Sequence, residues 1–255
     1  MLLAIDIGNT VTTLGIFQAS ELRATWHLAT DVDRMADEHA ALLLDLLGHH
    51  NLKPSDVTKA ALCCVVPPLL AAYEELFQHY FHFSPLVIAA GVKTGVRIRM
   101  ENPKEVGADR IANAAAAHHL YQGPVIIVDL GTATTFDVVS REGDYLGGAI
   151  APGLYTAAEA LFTQASMLPQ VELTAPKHAI GSSTISAMQS GIVFGYVGLI
   201  EGIIARIQRE LGDKAKVVAT GGWAEAIARE TKIIEAVNPD LTLIGLRIIY
   251  HMNRD

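Results

Sequence analysis

The chain has 255 residues, 51% of them hydrophobic, with a net charge of −8 and a pI near 5.6. That is enough apolar material for one large or two small domains with a sizeable core. The acidic balance argues against a general nucleic-acid binder, whose affinity comes mainly from phosphate neutralisation, but not against a bound nucleotide, which needs only local donors.

Residues 2–5 read as a buried strand, 8–10 as a turn and 11–17 as a second strand. Gly8 and Asn9 accept the backbone geometry of a tight turn. No basic residue precedes the first apolar run and Asp6 ends it, so a secretory signal is not expected. Residues 21–28 suggest a third strand. Leu42, Leu43, Leu46 and Leu47 have helical spacing within 37–50. Residues 59–66 form an apolar strand stopped by Pro67-Pro68. It contains Cys63 and Cys64, which read as small core residues. Two adjacent cysteines exclude a disulfide framework and fit a reducing compartment. A helix over 69–80 and a short strand over 86–89 follow. The stretch 91–103 carries Lys93, Arg97 and Arg99 in a loop or strand. Residues 105–121 read as a helix on the strength of the alanines at 114–117.

The second half repeats the plan. A strand over 125–129 leads to a turn at Gly131-Thr132, then strands over 134–140 and 144–150, and a helix opened by Pro152-Gly153. A loop over 169–181 and a long helix over 184–211 follow. Then come a strand over 216–220, a turn at Gly221-Gly222, a helix over 223–230 and a last helix over 241–252. The apolar stretch 191–207 is short for a membrane span and carries Glu201, so a soluble, cytoplasmic protein is expected. The order β-β-β-α-β-α thus occurs twice, with the boundary near Gly123-Pro124. Duplication predicts two similar turns facing each other across an interdomain cleft, a common place for ligands.

The turns carry the chemistry. In Asp6-Ile7-Gly8-Asn9-Thr10-Val11-Thr12-Thr13, backbone N–H groups and hydroxyls suit a phosphate, and Asp6 suits its Mg²⁺. Alone, this is equally an ordinary hairpin with an Asx turn at Asn9. The second copy, Asp129-Leu130-Gly131-Thr132, favours the phosphate reading. Gly107-Ala108-Asp109-Arg110 stands at a helix start, whose N–H groups and dipole favour an anion. Arg110 adds a fork for carboxylate or phosphate, and Asp109 can accept or orient a hydroxyl proton. The same residues also suit a plain helix start with Asp109 paired to Arg110. Gly221-Gly222 fits close approach to a nucleoside or a strand-to-helix turn. Gly191, Gly195, Gly198 and Gly202 share a helix face, which suits either packing within the chain or a dimer interface. The ten histidines show no zinc-binding spacing.

Taken together, these motifs resemble those of the actin/hexokinase/Hsp70 superfamily, and more specifically type III pantothenate kinases. The carrying segments are DIGNT at 6–10, ENPKEVGADR at 101–110, VDLGTATTFDVV at 128–139, YLGGAIAPG at 145–153, MQSG at 188–191, YVGLIEG at 196–202 and ATGG at 219–222. The resemblance implies an α/β fold of two duplicated ribonuclease H-like (actin-like ATPase) domains, 1–122 and 123–255, each a mixed sheet with flanking helices. It implies ATP-dependent phosphorylation of pantothenate, the first step toward coenzyme A. By position, residues 6–13 and Thr132 would contact ATP. Gly107, Ala108, Asp109, Arg110 and Thr184 would bind pantothenate, with Asp109 as proton acceptor. Asp129 would hold K⁺ or NH₄⁺, and Asp6 would serve Mg²⁺. Thr184 would reach a partner subunit's site in a homodimer. Met100 stands where the family usually has a pocket-lining Tyr, and it cannot donate that hydroxyl. An actin- or Hsp70-like ATPase and a non-catalytic regulatory relative are the competing readings.

Overall fold

A computed structural model describes residues 1–254. They form two compact units: 1–97, 101–116 and 241 onward in the first, 98–100 and 117–240 in the second.

In the first unit, β1 (Leu2–Ile7), β2 (Val11–Gln18) and β3 (Glu21–Ala29) form an antiparallel meander. After α1 (Ala36–His49) the chain returns as β4 (Lys59–Cys64), parallel to β1, and continues through α2 (Pro67–Leu76) to β5 (Leu86–Val87). The sheet order is β3-β2-β1-β4-β5. Strands β1 and β4 are apolar almost throughout because both faces are covered. On one side Leu3, Ile5 and Leu62 pack with Leu43, Leu47 and Leu69 of α1 and α2. On the other, Leu2, Ala4 and Cys63 pack with α3 (Ala108–Leu120) and α7 (Leu241–Met252) through Ala112, Ala115, Leu243 and Leu246. The helices α3 and α7 come close because residue 245 is Gly; a Cβ there would stand 2.0 Å from the Ala112 carbonyl oxygen.

The second unit repeats this topology. β6 (Arg97–Ile98) lies at the sheet edge, and β7 (Val125–Leu130), β8 (Ala133–Val139) and β9 (Asp144–Pro152) make the meander. After α4 (Leu154–Gln164) and α5 (Thr184–Leu211), β10 (Lys216–Thr220) pairs parallel with β7. The short α6 (Ala224–Ala228) leads to β11 (Ala236–Val237). The order is β11-β10-β7-β8-β9-β6, so strands 9-8-7-10-11 retrace 3-2-1-4-5. Register is preserved as well. Asp6 lies between Thr13 and Cys63, and Asp129 between Thr135 and Thr220.

Several boundaries differ from the sequence reading. The strand expected through 66 ends at Cys64, and α2 begins at Pro67 rather than 69. Proline fits the first helical position, whose N–H has no partner in any case. The helix expected from 105 begins at Ala108, because 103–105 close a separate 3₁₀ turn and Val106 is extended. Strand β11 carries no pattern long enough to read and was not expected. The apolar helix α5 is 28 residues long, long enough by length and composition to cross a membrane, contrary to the reading of 191–207 as too short. Its buried stripe is spent elsewhere. Tyr196, Val197, Ile200 and Ile204 form one core with Ile126, Val128 and Val217 of β7 and β10, and Glu201 accepts a hydrogen bond from Thr231.

Candidate active site

The first hairpin turn is built on Gly8. Its N–H donates to the Val11 carbonyl at 3.1 Å, and a Cβ at Gly8 would stand 2.9 Å from that oxygen. Asn9, Thr10 and Val11 are exposed, Asp6 and Thr13 are half-buried, and Ile7 is core. Thr12 faces inward. Its hydroxyl meets that of Thr30 at 3.0 Å, and Thr30 donates to the Gly8 carbonyl at 2.7 Å. Tyr73 bonds Thr12 from beneath, and burial pushes the Tyr73 phenol up to about 12. A chain of neutral hydroxyls therefore braces the turn from the inside and holds its outer backbone in one conformation. Thr30 and Tyr73 lie 20 and 63 residues from Thr10 in the chain. No local signal marks them.

Asp109 occupies the first turn of α3. Its Oδ1 accepts from the Arg110 backbone N–H at 2.8 Å, so the carboxylate folds back over the helix start. This needs Gly107, where a Cβ would stand 2.4 Å from that oxygen. Gly107, Ala108, Asp109 and Arg110 are all half-buried, within reach of solvent. The first unit brings Asp6 and Asp109 into one electrostatic neighbourhood, since both carboxylates act on Cys63.

In the second unit, the turn after β7 is one residue shorter than its counterpart. Three residues separate Leu130 from its partner Thr134, against four between Ile7 and Thr12. The turn is clasped on two sides. Gly153 donates its N–H to the Thr132 carbonyl at 3.1 Å, and the Thr156 hydroxyl donates to the same oxygen at 2.8 Å. Gly221, at φ +89°, lies so close that a Cβ would stand 2.6 Å from Asp129 Oδ1. Asp129 is half-buried at the strand end and Thr132 is exposed. Met100 is half-buried, and a Cβ on Gly147 would stand 2.8 Å from its sulfur.

Thr184 opens α5, is exposed, and lines a groove of about 990 Å³ with Leu154, Leu161, Met188, Gly191 and Tyr196. Ser183 caps this helix by accepting from the Ser186 N–H. A Cβ on Gly191, Gly195 or Gly198 would meet nothing within 4 Å. Close packing within the chain, one of the two readings of that stripe, therefore fails for these three.

These elements define a class. Each unit is a mixed α/β sheet ending in an Asp-plus-Gly/Thr hairpin, the duplicated ribonuclease H-like fold of actin-like ATPases and sugar kinases. Solved structures share it: a Baf family protein from Campylobacter jejuni has a TM-score of 0.64, with 20% identity and 98% of each chain covered. The ROK hexokinase from Thermus thermophilus has a TM-score of 0.51, with 14% identity and 98% of each chain covered. The family model for type III pantothenate kinase matches residues 2–206. A type III pantothenate kinase from Dehalococcoides mccartyi strain CBDB1 is 56% identical over 253 residues, covering 99% of this chain and 96% of that protein. The chain belongs to the type III pantothenate kinase family.

Proposed function

We propose that this protein transfers the γ-phosphoryl group of ATP to the hydroxyl of pantothenate, giving 4′-phosphopantothenate at the start of coenzyme A biosynthesis. The observation that carries this reading is 56% identity to a type III pantothenate kinase over 99% of the chain.

The residues divide the work. The exposed turn residues 9–11, with the side chain of Thr10, receive the phosphates of ATP beside the half-buried Gly8, on a turn stiffened by Thr12 and Thr30. Ile7 and Thr13 fix the strands on either side. Thr132, exposed on its own turn, is the other ATP-contacting residue. Gly107, Ala108 and Arg110 hold pantothenate at the α3 N-terminus, where the helix dipole favours its carboxylate. Asp109 accepts the hydroxyl proton. Met100 supplies apolar surface to the same substrate.

Mg²⁺ and K⁺ fit the donors present. Each cation would be held by one carboxylate together with phosphate oxygens and water. Asp6 serves Mg²⁺. Asp129 serves K⁺, with space beside its carboxylate that a Cβ at residue 221 would fill at 2.6 Å. When bound, the cations neutralise charge on the phosphoryl oxygens. Turnover is accordingly expected to be several-fold faster in K⁺ or NH₄⁺ than in Na⁺, measured at constant ionic strength. Equal rates in all three would remove Asp129 from that role.

The protein acts as a cytoplasmic homodimer in this account. The open glycine face of α5 and the exposed Ile180 and Ile185 are available to a second copy, and Thr184 contacts pantothenate in the partner's site. The functional test is ADP release with and without pantothenate. Release that depends on pantothenate supports the kinase. Release without an acceptor would mark an actin- or Hsp70-like ATPase. Nucleotide binding without turnover would mark a regulatory relative.

A further inference from the structure

Cys63 is fully buried, and its Sγ–H donates to Asp6 Oδ1 at 3.1 Å. The contact follows from topology: β4 lies parallel to β1 with Cys63 in register beside Asp6, so both side chains rise on the same face. We propose that Cys63 is a positioning residue for the phosphoryl transfer described above, holding the Asp6 carboxylate in one orientation while leaving its charge intact. The inference rests on that functional reading.

The residue type suits the task. A cationic neighbour would orient Asp6 but also neutralise it and compete with a metal ion. A thiol donates a proton and carries no charge. A thiol is protonated at neutral pH and so arrives as a donor. Solvent does not compete for the bond, because the thiol is inaccessible. The duplicated unit repeats the arrangement in kind. Thr220, 2% exposed, occupies the matching register position beside Asp129 and again brings a neutral donor type to a strand-end carboxylate. The adjacent Cys64 takes no such part. Its thiol donates to the Val66 carbonyl at 3.1 Å and it is half-buried. Of the two cysteines read from sequence as core, one is core and also bonded to a candidate site carboxylate.

The test compares wild type, Cys63→Val and Cys63→Ser by calorimetric titration with ATP and Mg²⁺ in the absence of pantothenate. Valine fills the space without a donor, and serine restores one. Affinity is expected to fall about fivefold in Cys63→Val, the effect of one modest hydrogen bond, and to stay within about twofold of wild type in Cys63→Ser. In steady-state kinetics KM for ATP should rise by the same factor while KM for pantothenate stays fixed. Wild-type affinity in Cys63→Val, or equal losses in the two variants, would overturn the proposal. A second readout does not depend on the valine variant folding. In a Cys64→Ala background the remaining S–H stretching band should shift to higher frequency when Asp6 is changed to Ala, and an unmoved band would overturn the proposal as well. Wild-type protein that binds ATP but never phosphorylates pantothenate would sink the kinase reading and leave the Cys63–Asp6 result to stand or fall on the titration and the infrared band.

Discussion

Asp109→Asn is expected to lower the rate of pantothenate phosphorylation on the order of 10²- to 10⁴-fold, the usual range for removing a positioned acid–base group. The variant is close to isosteric. Its side-chain oxygen can still accept from the Arg110 N–H that Asp109 now engages at 2.8 Å. Gly107 still leaves room for it, since the 2.4 Å clash that a Cβ would create at residue 107 is absent. Folding and ATP binding should therefore be nearly unchanged, with the nucleotide dissociation constant within about twofold of wild type. The selectivity of the loss is the informative part. A loose phosphoryl-transfer transition state depends mainly on positioning and charge, so Asn, which keeps position and drops charge, separates the two. Stopped-flow turnover together with calorimetric ATP titration measures both. Unchanged turnover would remove Asp109 from the mechanism.

The second large effect is expected at Gly221. Its φ of +89° is strained for any L side chain, and a Cβ would stand 2.6 Å from Asp129 Oδ1 and 2.8 Å from the Leu130 backbone. Backbone strain costs roughly 1–3 kcal/mol, and overpacking costs about 1–3 kcal/mol more. Gly221→Ala should therefore lose roughly 2–6 kcal/mol, which for a chain of this size lowers Tm by about 4–24 °C. Relief of the clash can come from displacing the Asp129 carboxylate, so the K⁺ dependence of turnover should weaken too. Gly222→Ala is the internal control, because a Cβ there meets nothing within 4 Å and its Tm should stay close to wild type. Thermal denaturation of the two variants side by side decides the matter. Equal Tm values would show that the Gly221 turn carries no strain.

What could be read from the sequence was what is local and periodic. The apolar runs ending in Asp6 and Asp129 are strands because each is covered on both faces, and the Gly and Thr residues after them leave few alternatives to a turn. Helix α5 was placed from Thr184 to Leu211 by its continuous apolar spacing, and the structure has it there. What could not be read is what depends on partners far along the chain. The parallel pairing of β1 with β4 turns Cys63 from a core residue into a donor to Asp6, across 57 positions. Thr30 braces the first turn from the far end of β3. The start of α3 was misplaced for a different reason. Glu105 looks like a helix start and closes a 3₁₀ turn with Pro103, but Val106 is extended and Gly107 precedes the helix proper, so that regular structure begins only where the Asp109 carboxylate can fold back. Helix α7 shows the same limit at a larger scale. Its apolar face was legible, but the side it covers depends on Gly245 meeting Ala112 of α3.

The most direct measurement of the central claim is the product itself. Purified protein is incubated with Mg²⁺-ATP and pantothenate in K⁺ buffer, and ADP and phosphorylated pantothenate are quantified together by coupled assay and mass spectrometry. One 4′-phosphopantothenate is expected for each ADP, with negligible ADP when pantothenate is left out. ADP released at the same rate without pantothenate, or no phosphorylated pantothenate under conditions where ATP binds, would contradict it.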